Sequence, residues 1–525
     1  MRARAIMVLG TGSHVGKSLL TAALCRIFAQ QGYRVAPFKS QNMSLNSAVT
    51  PDGLEIGRAQ ALQAEAAGVL PSVHMNPILL KPSGDMTSQV IVHGKIWGRL
   101  SASDYHLRRV EELLPLVRES YELLASQNDI IILEGAGSPA EINLKQHDIV
   151  NMRMAELADA ACLLVGDIDR GGVFASLLGT VELLDASERA RIRGFLINKF
   201  RGDLALLSPG VRMIEERLSK PCLGVVPYLP QLQLDEEDSL GLPSMRSEDS
   251  TVWSETSDMA RPLRVAVLAL PSFSNFTDFD SLRAEPSVSL RFVRSVEQLT
   301  GADLVVLPGS KQTADDLLWM RREGLDRSLI EHARTGLVVG ICGGMQMLGE
   351  EIVDPHRMEH DGRLAGLGLL AIHTMMQPQK ITRISSGHLA DTSLFGQRIQ
   401  RRAVSGYEIH IGETSYRDGA KPFARLDVER TSESLPDGCV SADGRIFGSY
   451  LHGLFDDDGF RHTFVAAARA FCRLTPLTEV EDWKKKREES LNRLADGVRA
   501  ALDMPTIFAY AGLAYHEERI EQECL

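Results

Sequence analysis

The sequence predicts an α/β protein built of two doubly wound, mostly parallel-sheet domains. Three observations carry this. The segments AIMVLG, VAPFK, DIIILEGAG, ACLLVGDID, GFLINKF and CLGVVPYL are near-continuous apolar runs, as in parallel strands buried on both faces. The stretches between them have helical periodicity, for example Ser18 to Gln31 and Tyr105 to Leu124. A second series of the same kind, RVAVLAL, LRFVRS, ADLVVLPGS, GLVVGICGG and RIFGSYLHGLF, begins after Pro262.

The chain of 525 residues is too long for one ordinary core. Residues 1–230 form the first domain in this reading and 263–475 the second. Between them, 231–262 holds eight acidic residues against Arg246 and Arg261, with few aliphatics, which is linker composition. Residues 476–525 read as a helical tail whose charged run EDWKKKREESLNRLADGVRAALDM is a solvated amphipathic helix. A net charge of −12 disfavours nucleic acid and anionic membranes as partners. Seven scattered cysteines without a CxxC pair indicate neither a disulfide framework nor a zinc site, and fit a reducing cytoplasm. No apolar stretch approaches the roughly 20 residues that cross a bilayer. AIMVLG after Arg2 and Arg4 breaks at once into glycines, unlike a signal peptide.

That break is GTGSHVGKS, Gly10 to Ser18. A phosphate-cradling loop usually has four residues between its first glycine and Gly-Lys-Ser. The rule points to Thr11, flanked here by Gly10 and Gly12. The position between a strand and a helix still suits phosphate. Backbone N–H groups of Gly12, Ser13, His14, Val15, Gly16 and Lys17 are placed for its oxygens, Lys17 for its charge, and Ser18 for Mg²⁺. The other reading is a turn whose glycines let a helix pack closely. A partition-type ATPase would carry a lysine where Gly12 stands. The form Gly-Thr-x-x-x-Val-Gly-Lys-Ser instead resembles dethiobiotin synthetase and related ATP-dependent amidoligases. Lys39 is placed to reach phosphate or a substrate carboxylate, or is a surface lysine. Glu134, at a strand end before Gly-Ala-Gly, is a second Mg²⁺ ligand or a capping residue. The resemblance implies an adenine contact for Asn198, which otherwise reads as a turn residue.

GICGGMQML, Gly340 to Leu348, has Gly-x-Cys-x-Gly between a strand and a helix. Such an elbow needs small neighbours and exposes Cys342 where the helix favours negative charge on sulfur. Gly343 N–H is one oxyanion donor, and LPGSK supplies a second from Gly309 or Ser310. The base is His452 in SYLHGLF. The alternative is a buried apolar cysteine beside a core histidine. The set resembles the class I glutamine amidotransferases, which implies attack of Cys342 on glutamine, a thioester and released ammonia. Their usual His-x-Glu is missing, since Leu454 stands in the third place. Glu408 or His410, in GYEIHIG, is the candidate to orient His452.

FKSQNMSLNS, EIGRAQALQAEAA, MNPILLKPSGDMTSQVIVHGK, LVGDIDRGGVFA and INKFRGD, together with GICGGMQML, GYEIHIG and SYLHGLF, closely resemble the cobyric acid synthases over most of the chain. The resemblance implies an N-terminal P-loop, dethiobiotin-synthetase-like domain and a C-terminal class I glutamine amidotransferase domain. The implied activity is glutamine-dependent amidation of the b, d, e and g carboxylates of a corrinoid, adenosylcobyrinic acid a,c-diamide, using ATP and Mg²⁺. Asn42, Ser44, Asn46, Gln60, Thr87, Ser88 and Gln89 are polar groups suited to a corrin rim, or local turn formers. Asp167 and Asp169 suit metal or substrate positioning, or helix capping. Glu55 is a further candidate Mg²⁺ ligand. An a,c-diamide synthase has the same two domains, and a nucleotide-gated scaffold with a decayed glutaminase half is the non-enzymatic alternative.

Overall fold

The run from Ala5 to Leu9 is buried along its length, with Ile6, Met7, Val8 and Leu9 at 0% exposure. It forms β1 (Arg4–Gly10), the third-position anchor of a fully parallel sheet. The computed structural model describes residues 3–83, 87–101, 103–105, 109–230, 232–235, 253, 258–391, 393–399, 402–428, 433–477 and 479–517. Most of the stretch expected as an acidic linker, together with Cys524, lies outside the described residues.

The chain divides into two units. One comprises Met1–Ser44, Ile56–Glu237 and Arg487–Leu525, and the other Leu45–Glu55 and Asp238–Lys486. Two stretches therefore fall elsewhere than the sequence boundaries put them. Residues 45–55 group with the second unit, and the tail from Arg487 groups with the first.

In the first unit β1 is followed by α1 (Lys17–Gln30), β2 (Val35–Phe38), α2 (Arg58–Ala66), β3 (Ile130–Glu134), β4 (Ala161–Asp167), β5 (Ile192–Phe200) and β6 (Cys222–Pro227). The sheet order is β6-β5-β4-β1-β3-β2, all parallel. Chain order reverses around β1, so the carboxyl ends of β1, β3 and β4 open at a switch point, where such sheets bind ligands. A smaller sheet joins Gln41–Met43, Ile78–Ser83, Thr87–Val92 and Lys95–Ser101.

The tail is not simply solvated. Its charges lie on one side of α4 (Trp483–Ala501), while Leu491, Leu494, Ala495 and Val498 recur at helical spacing and are buried. They join Ile6, Val8, Leu24 and Phe28 in one core. Phe508, on α5 (Met504–Tyr510), stacks on Phe28 with ring centroids 4.0 Å apart.

The second unit has β7 (Leu263–Leu268), β8 (Val288–Val293), β9 (Leu304–Leu307), β10 (Leu337–Ile341), α3 (Gly343–Leu348), β11 (Ile372–Leu389), β12 (Ala403–Tyr416), β13 (Cys439–Val440) and β14 (Ile446–Ser449). Its main sheet runs β8-β7-β9-β10-β14-β13, parallel except for the antiparallel β13–β14 pair. β11 and β12 form a long antiparallel pair in a second sheet. Among the described residues no helix is long and apolar enough to cross a membrane.

Candidate functional site

In the first unit the glycine-rich loop joins β1 to α1. Gly16, the residue before α1, has φ +96°, and a Cβ there would lie 2.2 Å from Asn198 Nδ2. Only glycine meets both demands. Asn198 Nδ2 donates to Val15 O at 2.9 Å, so this asparagine braces the loop with the group expected to reach adenine. Lys199, which sequence reasoning passed over, donates to His14 O at 2.6 Å and to Asp167 Oδ2 at 2.9 Å. Asp167 also accepts from Asp169 N at 2.8 Å. Asp167 thus belongs to the loop's bracing, while the carboxylate of Asp169 pairs with Arg201. Lys17 Nζ donates to Gly12 O at 2.7 Å and to Gly137 O at 3.1 Å, which places its charge inside the loop. Ser13 is exposed beside it.

Glu134, at the end of β3, gathers three donors. Ser18 Oγ and Lys39 Nζ each lie 2.9 Å from Oε1, and Gln63 Nε2 lies 2.6 Å from Oε2. The Glu134 side chain is 0% exposed and that of Lys39 5%, so each charge needs the other. Gln63 sits on α2, three residues after Gln60, and its Oε1 is buried without a hydrogen-bond partner. Gln60 Nε2 and Gln89 Oε1 are buried and unpartnered as well. Such amide atoms suit a polar ligand.

Asn42 Nδ2 donates to Gln60 Oε1 at 3.0 Å, and Ser44 N to Leu80 O at 3.0 Å. Thr87 Oγ1 accepts from Arg99 Nε at 3.2 Å, with Ser88 next along the same strand. Asn46 and Glu55 do not belong to this group. Both fall in the second unit, where Glu55 Oε1 accepts from Ser47 Oγ at 2.8 Å and Oε2 pairs with Lys380. The carboxylate of Glu55, expected as a further Mg²⁺ ligand, is thus engaged by Ser47 and Lys380.

In the second unit Cys342 occupies the turn between β10 and α3 at φ +50°, ψ −110°. That conformation is strained for a residue with a side chain, and strain of this kind concentrates at functional sites. Its N–H donates to Ser449 O at 2.8 Å. Small neighbours are obligatory, since a Cβ on Gly344 would lie 2.0 Å from Leu307 O and one on Gly340 2.7 Å from the Met345 backbone. A Cβ on Gly343 would come within 3.0 Å of Ser310 N, and one on Gly309 within 2.9 Å of His452 Cε1. Elbow, Gly309–Ser310 turn and histidine therefore converge. Ser310 Oγ donates to Asp316 Oδ2 at 2.6 Å, which fixes the turn.

His452 is 1% exposed. Its Nδ1 donates to Asp278 Oδ2 at 2.6 Å, and Gly453 N to Asp278 Oδ1 at 3.0 Å. This tautomer leaves Nε2 for the sulfur of Cys342. Tyr407 stacks on the imidazole at 5.3 Å between centroids. Burial works to lower the imidazole pKa, but the charges of Asp278 and Cys342 and hydrogen bonds to both push it up to about 10. The orienting carboxylate is therefore Asp278, in the short turn Phe276–Phe279, and not the expected Glu408 or His410. Glu408 is engaged by Arg383 and by Ser385 Oγ at 2.6 Å. His410 Nδ1 donates to Gly412 O at 2.7 Å while its ring stacks on Tyr450. GYEIHIG meets the thiol through its backbone, with Cys342 Sγ 3.7 Å from Ile409 O.

The arrangement pairs a thiol with an oriented imidazole beside a backbone turn able to receive an oxyanion. The other unit sets a lysine, a serine and a carboxylate at a phosphate-type loop. Comparison with known proteins agrees with both. Residues 6–240 match the family model of the CobQ/CobB/MinD/ParA nucleotide binding domain, and residues 264–460 that of the CobB/CobQ-like glutamine amidotransferase domain. A cobyric acid synthase of Thermoanaerobacter sp. (strain X514) is 47% identical over 508 residues, covering 96% of this chain and 98% of the relative. One of Moorella thermoacetica (strain ATCC 39073 / JCM 9320) is 47% identical over 513 residues, covering 97% and 98%.

Proposed function

Because the chain belongs to the cobyric acid synthase family, and is accordingly an ATP-dependent, glutamine-utilising amidoligase, we propose that it amidates the b, d, e and g carboxylates of adenosylcobyrinic acid a,c-diamide. The observation that carries the two-site reading is the Cys342–His452–Asp278 group in a chain that also holds Ser18, Lys17 and Lys39 around a phosphate-type loop.

In this reading His452 Nε2 takes the proton of Cys342, and the thiolate attacks the side-chain amide carbon of glutamine. The oxyanion is received by N–H groups of Gly343 and of Gly309 or Ser310. The imidazolium of His452 returns its proton to the leaving nitrogen, ammonia departs as the thioester forms, and water then releases glutamate. At the other site the corrinoid carboxylate attacks the γ-phosphorus of ATP. Ammonia displaces phosphate from the resulting acyl phosphate, leaving an amide. Lys17 and Lys39 stabilise the charge that develops on the phosphates. Gly12, Ser13, His14, Val15 and Gly16 present the loop backbone, and Asn198 maintains its shape.

Magnesium fits the donors present. Ser18 Oγ and Glu134 Oε1 stand 2.9 Å apart, and Gln63 Oε1 lies buried and unpartnered nearby on α2. Ser18 and Glu134 would hold the ion, which would supply neutralising charge at the phosphates. No group of three or more His, Cys, Asp or Glu residues able to hold a metal occurs among the described residues, and a P-loop ion needs none. Asn42, Ser44 and Gln89 remain the proposed corrinoid contacts, with Asp167 acting through the loop. We assign the reaction to the cytoplasm.

Incubation with ATP, glutamine and cobyrinic acid a,c-diamide, followed by mass spectrometry, tests the substrate. Four added amides are expected. Amidation of unamidated cobyrinic acid at only the a and c positions would assign the chain to the diamide synthases instead.

A further inference from the structure

The turn that carries Asp278 is held by a segment from far upstream in the chain. Residues 45–55 group with the second unit, although Ser44 before them and Ile56 after them group with the first. Within the second unit this segment and the turn exchange two hydrogen bonds. Ser47 N donates to Asn275 Oδ1 at 2.8 Å, and Phe276 N donates to Asn46 Oδ1 at 3.3 Å. Both asparagines are buried, Asn46 at 1% and Asn275 at 2% exposure. Asn275 is the residue before the Phe276–Phe279 turn and has φ +54°, a left-handed conformation that asparagine tolerates. Its carbonyl accepts Asp278 N at 3.0 Å. The far end of the segment is fixed by Glu55, which joins Ser47 to Lys380. Asp278 is thus tied through Asn275 to Ser47, and through Phe276 to Asn46.

We propose that Asn46 and Asn275 are positioning residues for glutamine hydrolysis, clamping the Asp278 turn so that its carboxylate aims His452 at Cys342. The proposal rests on the glutaminase reading of Cys342. An oriented base is sensitive to small displacements, because loss of alignment lowers turnover without removing a contact to glutamine. The clamp touches no substrate, and its loss should appear in kcat alone.

The test is steady-state glutamine hydrolysis, with ammonia-dependent amidation measured in parallel, on the full chain and five variants. Asn46→Ala and Asn275→Gly each remove one acceptor, and the glycine keeps the positive φ available. Each is expected to lower kcat with glutamine about tenfold at unchanged KM, and the double variant to lose little more than either alone. Asn46→Asp keeps the accepting oxygen and should restore kcat to within about twofold. Ammonia-dependent amidation should be unchanged in all of them. Wild-type kcat in both single variants would overturn the proposal, as would an equal loss of ammonia-dependent amidation, which marks a general structural defect. Cys342→Ala separates the two readings. If it still hydrolyses glutamine, the glutaminase assignment fails; if it is inactive while the asparagine variants are normal, only the clamp fails.

Discussion

Asp278 and His452, 174 residues apart in sequence, meet at 2.6 Å with the carboxylate on Nδ1 of the imidazole. In the proposed mechanism Asp278 does the work of the carboxylate that usually follows the histidine by two residues. There it would fix the tautomer and stabilise the imidazolium formed when Cys342 gives up its proton.

Asp278→Asn keeps the shape and loses the charge. Glutaminase kcat is expected to fall by about 10²-fold or more. The sign of the pH effect follows from the raised imidazole. An imidazolium held up to about 10 persists through neutral pH and is lost as pH rises through that value. Without Asp278, burial is opposed only by Cys342, and the alkaline limb of the kcat/KM profile should move down toward neutrality. A limb that stays in place would separate Asp278 from the titration of His452.

Gly16→Ala should disable the nucleotide site while sparing glutamine hydrolysis. The new methyl meets both a left-handed φ of +96° and Asn198 Nδ2 at 2.2 Å. Strain of about 1–3 kcal/mol is expected from the backbone alone. ATP-dependent amidation should drop at least tenfold with either nitrogen source, measured as phosphate release. Normal turnover would show that the loop does not carry phosphate.

Lys39→Ala leaves Glu134 buried without its cation. The expected loss is about 3–5 kcal/mol of stability in urea unfolding together with amidation. Lys39→Ala with Glu134→Gln should recover much of the stability and none of the synthesis. Recovery of synthesis would remove Lys39 and Glu134 from the reacting group.

Glu408 contributes to folding rather than to the base. Burial alone would raise its pKa, but hydrogen bonds from Arg383 and Ser385, with the guanidinium charge, hold it down to about 2. A carboxyl depressed in the folded state stabilises fully above its unfolded pKa, and that contribution is lost as pH falls through about 2. Glu408→Gln should therefore cost on the order of 2 kcal/mol at pH 7, and progressively less below about pH 4.5. A penalty independent of pH would contradict this account.

Much of this was legible in the sequence, for identifiable reasons. Doubly buried strands cannot alternate, so ILEGAG and LVVGIC declare themselves, and elbows and phosphate loops need glycines at fixed places. Gly16, Gly340 and Gly344 answer steric demands that local pattern records. Asp278 was hidden because NFTDFD carries no motif, and only the packing of Phe276 and Phe279 brings it to His452. The pairing of Glu55 with Lys380 was out of reach, because 325 residues separate them and no local pattern records such a contact. In the tail the run KKKREE drew the reading toward solvent, while the stripe through Leu491, Leu494 and Val498 is visible only at helical spacing. Gln63 was within reach of reasoning, since it shares a helix face with Gln60.

The central claim is that one site frees ammonia and a different one uses it. Its most direct measurement is amidation by Cys342→Ala, supplied in turn with glutamine and with ammonium chloride near pH 8. The expected result is no amide from glutamine and near wild-type amidation from ammonia. Amidation from glutamine at the wild-type rate, or none from either source in a folded protein, would contradict it.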